Sequence, residues 1–151
     1  NSVVDSSDEI LIAREEQKIE ECSCVPVLVV DDNEFNIFSL ILILSSHGIN
    51  CDQALNGLEA YQKVKKSFKC CPYKLVFMDI NMPVMDGLES TTKINEFIRK
   101  HEDKHSQFNA KPKIVAVTAD VSKQMVMRCK RLGIEDILSK PPGALSLLTI
   151  L

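Results

Sequence analysis

From Val27 onward, short apolar runs alternate with longer helix-like stretches, and this alternation constrains the fold more than any other feature of the 151 residues. Strands are expected near 26–31, 50–54, 73–79, 113–118 and 135–139. Helices are expected near 34–47, 57–67, 87–101, 121–132 and 143–151. Runs such as Val27-Leu28-Val29-Val30 and Leu75-Val76-Phe77-Met78 carry no polar alternation, as in parallel strands buried on both faces. Five such β/α units with short connections call for one parallel sheet covered by helices on each side.

Local signals set the boundaries. Asn33 is placed to cap the first helix and Gly48 to end it; Asn56-Gly57 marks the turn into the second, and Gly133 closes the fourth. The polar stretch His101–Lys113, with Pro112 near its end, is expected to be a mobile surface loop. Residues 1–24 stand outside the alternation. Ser6-Ser7-Asp8-Glu9 has capping-box spacing ahead of Ile10-Leu11-Ile12, so a helix through about Glu21 is expected there, either as a linker from an upstream domain or within a disordered tail.

Composition excludes several function classes. Eighteen basic against 21 acidic residues give a net charge of -3, with no broad basic field for nucleic acid or an anionic membrane. The most apolar stretch, Ile37–Leu44, falls far short of the roughly 20 residues that span a bilayer. Six cysteines (Cys22, Cys24, Cys51, Cys70, Cys71, Cys129) include no C-x-x-C pair, and they are expected to be reduced thiols in a cytoplasmic protein. His47, His101 and His105 lack metal-ligand spacing and are expected at the surface.

Chemistry concentrates where strands end. Asp31-Asp32 closes the first strand, Asp79 the third, Thr118 the fourth, and Lys140 follows the fifth, just before Pro141. In an open parallel sheet these exits lie along one edge, where ligands bind. Clustered carboxylates repel one another and invite a divalent cation. A carboxylate nucleophile, metal-binding carboxylates, a hydroxyl donor and a fixed cation are the parts that phosphoryl transfer to aspartate requires.

The segments Val27–Asn36 (VLVVDDNEFN), Phe77–Gly87 (FMDINMPVMDG), Ile114–Asp120 (IVAVTAD) and Gly133–Pro141 (GIEDILSKP) together resemble the response-regulator receiver family, over roughly residues 25–151. The resemblance implies a flavodoxin-like (βα)5 three-layer sandwich with strand order 2-1-3-4-5. It implies that Asp79 is the phosphoacceptor attacking a phosphohistidine, that Asp32 binds Mg2+ directly and Asp31 through water, and that Asn81 adds its backbone carbonyl. Thr118 would hydrogen-bond the attached phosphoryl group, and Lys140, preceding a cis proline bond, would pair with it. Asn81 and Asp120 would tune the access of water. Implied partners are a histidine kinase or a histidine phosphotransfer protein. The domain itself would be a phosphoacceptor with slow self-dephosphorylation, not a turnover enzyme. The opening V-D-D-N-x-x-N and the closing C-x-x-x-G-x-x-D-x-x-S-K-P look most like receivers attached to hybrid sensor histidine kinases.

One position departs from the family pattern. Receivers usually carry Tyr or Phe three residues before the lysine, and here Ile137 stands there, stiff at χ1 and without ring or hydroxyl. Weak coupling from the phosphoryl site to the fourth helix and fifth strand is therefore expected. That substitution also keeps open a binding module with altered switching. An aspartate-nucleophile phosphohydrolase would want an acid at position 81, where Asn81 stands. The first helix is apolar nearly all round, so Ile37, Ile41 and Leu42 are expected on its outer face, either as a docking patch or covered by the segment near Ile10–Ile19.

Overall fold

The computed structural model describes residues 24–102 and 111–151. The expected helix before Glu21 and most of the expected loop His101–Lys113 lie outside the described residues. The strands are β1 (Val27–Val30), β2 (Cys51–Ala54), β3 (Leu75–Asp79), β4 (Lys113–Thr118) and β5 (Asp136–Ser139). The helices are α1 (Glu34–Ser46), α2 (Gly57–Ser67), α3 (Gly87–His101), α4 (Lys123–Arg131) and α5 (Ala144–Leu148). All five strands pair in parallel, in the order β2-β1-β3-β4-β5, as expected of a flavodoxin-like receiver fold.

The period of two along each strand divides the core into two layers. Val27, Val29, Phe77, Val115 and Val117 point to one side, against Ile37, Leu40 and Leu44 of α1 and Leu147 of α5. Leu28, Val30, Val76, Met78 and Ala116 point to the other, against Ala60 and Val64 of α2, Ile94 and Ile98 of α3, and Met125 and Cys129 of α4. Every residue of β1 and β3 is buried, which explains why their sequences show no polar alternation.

N-caps open the helices at Asn33 and Asn56, where the sequence indicates, and also at Asp86. Asn33 Oδ1 accepts from Phe35 N at 2.9 Å, Asn56 Oδ1 from Glu59 N at 2.8 Å, and Asp86 Oδ1 from Glu89 N at 2.8 Å. Gly48 and Gly133 follow α1 and α4 with φ of +76° and +81°, the left-handed geometry glycine tolerates best.

Two expectations are overturned. Cys24 and Cys71 are joined in a disulfide, with Cα atoms 5.3 Å apart, so the cysteines are not all reduced thiols. The parallel pairing of β1 with β3 brings together the segments leading into each strand, a proximity invisible in two cysteines separated by 47 residues. Ile37 faces the core at 2% exposure, and the outer side of α1 carries Phe35, Phe38 and Leu42, with Ile41 half-buried. An all-round apolar helix offers no polar stripe from which its outer face can be read.

Candidate functional site

The site is assembled from residues that leave four different strands. Asp31 follows β1, and its backbone N–H donates to Ala54 O at 3.1 Å, extending the β1–β2 pairing by one residue. Its Oδ1 accepts from Asn33 N at 2.9 Å and Asn36 Nδ2 at 3.4 Å, which orients the carboxylate. Asp79 is the last residue of β3, and Thr118 the last of β4; both are buried, at 2% and 1% exposure. Lys140 follows β5, and its N–H donates to Thr118 O at 3.0 Å. The Lys140-Pro141 bond is cis, as the family resemblance implied.

These exits bring the expected residues together. Lys140 Nζ reaches Asp79 Oδ2 at 2.9 Å and Asp31 Oδ2 at 3.1 Å. Carboxylate oxygens of Asp31, Asp32 and Asp79 lie within 4.8 Å of one another, with Asp32 the exposed member. Asn81 is exposed two residues past Asp79, and its backbone N–H slightly favours the charged Asp79 carboxylate. Thr118 Oγ1 accepts from Asp120 N at 3.1 Å, which turns the chain after β4.

The electrostatics are those of a crowded anionic pocket in which Lys140 is the cation among the described residues. Burial is the main cause that pushes the Asp79 carboxyl up to about 6; the hydrogen bond from Lys140 opposes it, and the charge of Asp31 adds to it. Burial pulls Lys140 down, but its hydrogen bonds to Asp79 and Asp31 win and hold it above the ordinary lysine range. Three carboxylates around a partly desolvated centre match the hard oxygen ligands that a small divalent cation takes.

The loop between Asp79 and α3 holds the site tightly. Gly87 N donates to Ile80 O at 2.8 Å, and Gly57 N donates to Met85 O at 3.0 Å. A Cβ on Gly87 would strike Asp79 O and come within 2.9 Å of Ile80 Cα. Gly87 is therefore needed for the close approach of the α3 N-terminus to the backbone of Asp79, a requirement that no local sequence pattern signals. Met78, Met82 and Met85 are buried apolar residues around the site. His47 and His101 are exposed and bond the carbonyls of Ile43 and Phe97 on their own helices, and His105 lies outside the described residues.

Ile137 lies half-buried on β5, beside the core layer that contains Met125 and Cys129. Beyond α1, a groove of about 580 Å³ is lined by Phe35, Phe38, Ile41, Gln53 and Leu55 next to the acidic edge. Among the described residues, no helix is long and apolar enough to cross a membrane.

Known proteins share this arrangement. The response regulator receiver domain family matches residues 27–151. Hybrid signal transduction histidine kinase G of Dictyostelium discoideum is 38% identical over 136 residues, which is 89% of this chain but 4% of that protein. The chain thus corresponds to a small part of the relative's length. The receiver domain of the Saccharomyces cerevisiae response regulator Ssk1, solved with the histidine phosphotransfer protein Ypd1, superimposes with a TM-score of 0.74 at 32% identity, covering 82% of this chain and 83% of that one. The receiver domain of sensor histidine kinase PA1611 from Pseudomonas aeruginosa, solved with a magnesium ion in its active-site cleft, gives a TM-score of 0.65 at 25% identity, covering 82% and 91%. Four strand exits converging on buried Asp79, together with these likenesses, establish that the chain belongs to the response regulator receiver domain family of two-component phosphorelays.

Proposed function

We propose that Asp79 takes a phosphoryl group from a phosphohistidine in a Mg2+-dependent reaction. The observation that carries this reading is the buried Asp79 carboxylate, 2.9 Å from Lys140 Nζ and clustered with Asp31 and Asp32. One carboxylate oxygen attacks phosphorus in line with the histidine nitrogen, the P–N bond breaks, and an acyl phosphate forms. Asp32, Asp31 through water, Asp79 and the Asn81 carbonyl would hold Mg2+, which neutralises charge on the phosphoryl oxygens. Lys140 exchanges its carboxylate partner for a phosphoryl oxygen, and the Thr118 hydroxyl turns to donate to another. Asn81 and Asp120, exposed two residues past Asp79 and Thr118, would tune how water reaches the phosphoryl group and so set a slow self-dephosphorylation.

Incubation with acetyl phosphate and Mg2+ tests this reading by intact mass. The expected product is about one phosphoryl group per chain. Steady release of phosphate without a stable adduct would support a phosphohydrolase, and no modification would support a binding module. Ile137 gives the binding module its one supporting observation, since an isoleucine stands where the family carries the aromatic ring that follows the hydroxyl residue. On the main reading, beryllofluoride with Mg2+ slows amide exchange at the strand exits but leaves residues 121–140 nearly unchanged. A large change across α4 and β5 would refute the weak coupling assigned to Ile137.

The partner in this reading is a histidine phosphotransfer protein or histidine kinase, supported by the Ypd1 complex of the Ssk1 receiver. Exposed Phe35 and Phe38 beside the acidic edge suit its apolar contact. Phe38→Asp should slow transfer from a phosphorylated partner at least tenfold, the effect of roughly 1.4 kcal/mol, while leaving labelling by acetyl phosphate intact. Equal loss with both donors would place the defect in the site instead of the interface. Residues 25–151 are the receiver in this proposal, and residues 1–24 a linker within a hybrid histidine kinase. A phosphohistidine made from ATP places the domain in the cytoplasm.

A further inference from the structure

A second concentration of reactive side chains lies at the opposite edge of the sheet. Cys24 precedes β1 and Cys71 precedes β3, and the backbone holds these segments together: Pro26 O accepts from Lys74 N at 2.8 Å and from Leu75 N at 3.2 Å. The two cysteines are joined, and Cys70, itself disulfide-bonded, places its Sγ 3.9 Å from Cys71 Sγ, so three of the six cysteines meet at one corner. The corner is open to solvent: Cys24 and Cys70 are exposed, and Cys71 is half-buried. Lys69 and Lys74, both exposed, flank Cys70-Cys71 in sequence, and positive charge favours the thiolate that thiol exchange requires. Cys51 and Cys129 are different. Both are free thiols held back by burial, which pushes Cys51 up to about 11 and raises Cys129 as well.

We propose that Cys24 and Cys71 form a redox modification site that exchanges with low-molecular-weight thiols and disulfides of the glutathione class. In the reducing direction a glutathione thiolate attacks one sulfur of the pair and displaces the other as a thiolate, which takes up a proton. A second glutathione thiolate then attacks the mixed disulfide, leaving two cysteine thiols and one oxidised glutathione. Oxidation runs the same two exchanges backwards, so two electrons pass between the protein and the small-molecule couple.

The exchange adds or removes one covalent clamp where the chain enters the sheet. When the bond is closed, the segment ahead of β1 is clamped to the turn ahead of β3; when open, it is held there by the backbone bonds of Pro26 O. Asp31 and Asp79 stand at the far ends of these same strands, so phosphoryl chemistry there continues in both states. The inference rests on the fold and the sulfur positions, and holds whether or not Asp79 is the phosphoacceptor.

The test equilibrates the folded protein in glutathione buffers from oxidised to reduced, quenches with an alkylating agent, and maps peptides by mass spectrometry. A peptide pair linked through Cys24 and Cys71 should dominate in oxidised buffer and give way to alkylated Cys24 and Cys71 in reduced buffer. The melting temperature should fall by roughly 10 °C on reduction, the effect of opening a long covalent loop. That fall should shrink in the Cys24→Ser/Cys71→Ser variant. A link that survives excess reduced glutathione in the folded protein would overturn the proposal, because the bond would then be a fixed staple. Failure to form the link in oxidised buffer, or retention of a zinc ion by these thiols, would overturn it equally.

Discussion

Asp79→Asn should reduce labelling by acetyl phosphate to background and, in metal-free buffer at pH 7.5, melt at a higher temperature than the parent chain. The first effect follows from removing the nucleophilic oxygen: an amide at the same place keeps the shape but cannot form the acyl phosphate. The second follows from the carboxyl being pushed from 3.8 up to about 6 by burial. A group whose folded pKa is raised binds its proton more tightly in the folded state, so its contribution to stability is greatest below the unfolded value and is lost as pH rises through about 6. At neutral pH the charged Asp79 therefore opposes folding, and asparagine relieves it by about 1–2 kcal/mol, or roughly 2–6 °C. Near pH 4 the two chains should melt together. Retained labelling in Asp79→Asn would remove the assignment of Asp79, and a lower melting temperature at pH 7.5 would mean that the Lys140 ion pair outweighs the burial.

Gly87→Ala should be the most damaging single-methyl substitution around the site. The added Cβ meets Asp79 O, Ile80 Cα and Met78 Cγ, and the first two are backbone atoms that no rotamer change can move aside. We expect a loss of about 3 kcal/mol and a fall in melting temperature of roughly 6–12 °C. Labelling should fall too, because the displaced atoms belong to the peptide unit of Asp79, the proposed phosphoacceptor. Gly143→Ala is the control, since nothing lies within 4 Å of its Cβ. Should Gly87→Ala melt like the parent, the approach of α3 to β3 must be looser than described.

The alternation of strands and helices was legible because β1 and β3 are buried along their whole length, while Asn33, Asn56, Gly48 and Gly133 punctuate the helices beside them. The same punctuation made the acidic edge legible: a carboxylate directly after an apolar strand has few places to go except the carboxyl end of the sheet. Three features could not be read this way. The inward turn of Ile37 is hidden because α1 has apolar residues on every side, so its rotation is decided by contact with β1 and β3. The Cys24–Cys71 bond depends on strand register between distant segments. The tightness at Gly87 depends on how closely α3 settles on β3, which no local pattern encodes.

The convergence of four strand exits also has a temporal consequence. During synthesis Asp31, Asp32 and Asp79 emerge well before Lys140, whose strand β5 pairs only with β4, at the end of the strand order. A nascent chain lacking β5 carries mutually repelling carboxylates without Lys140, the cation that pairs with Asp31 and Asp79 in the folded domain. Competence to receive a phosphoryl group should thus arrive in one step, when the final strand docks, and a stalled or clipped chain ending before Lys140 should be silent in the relay.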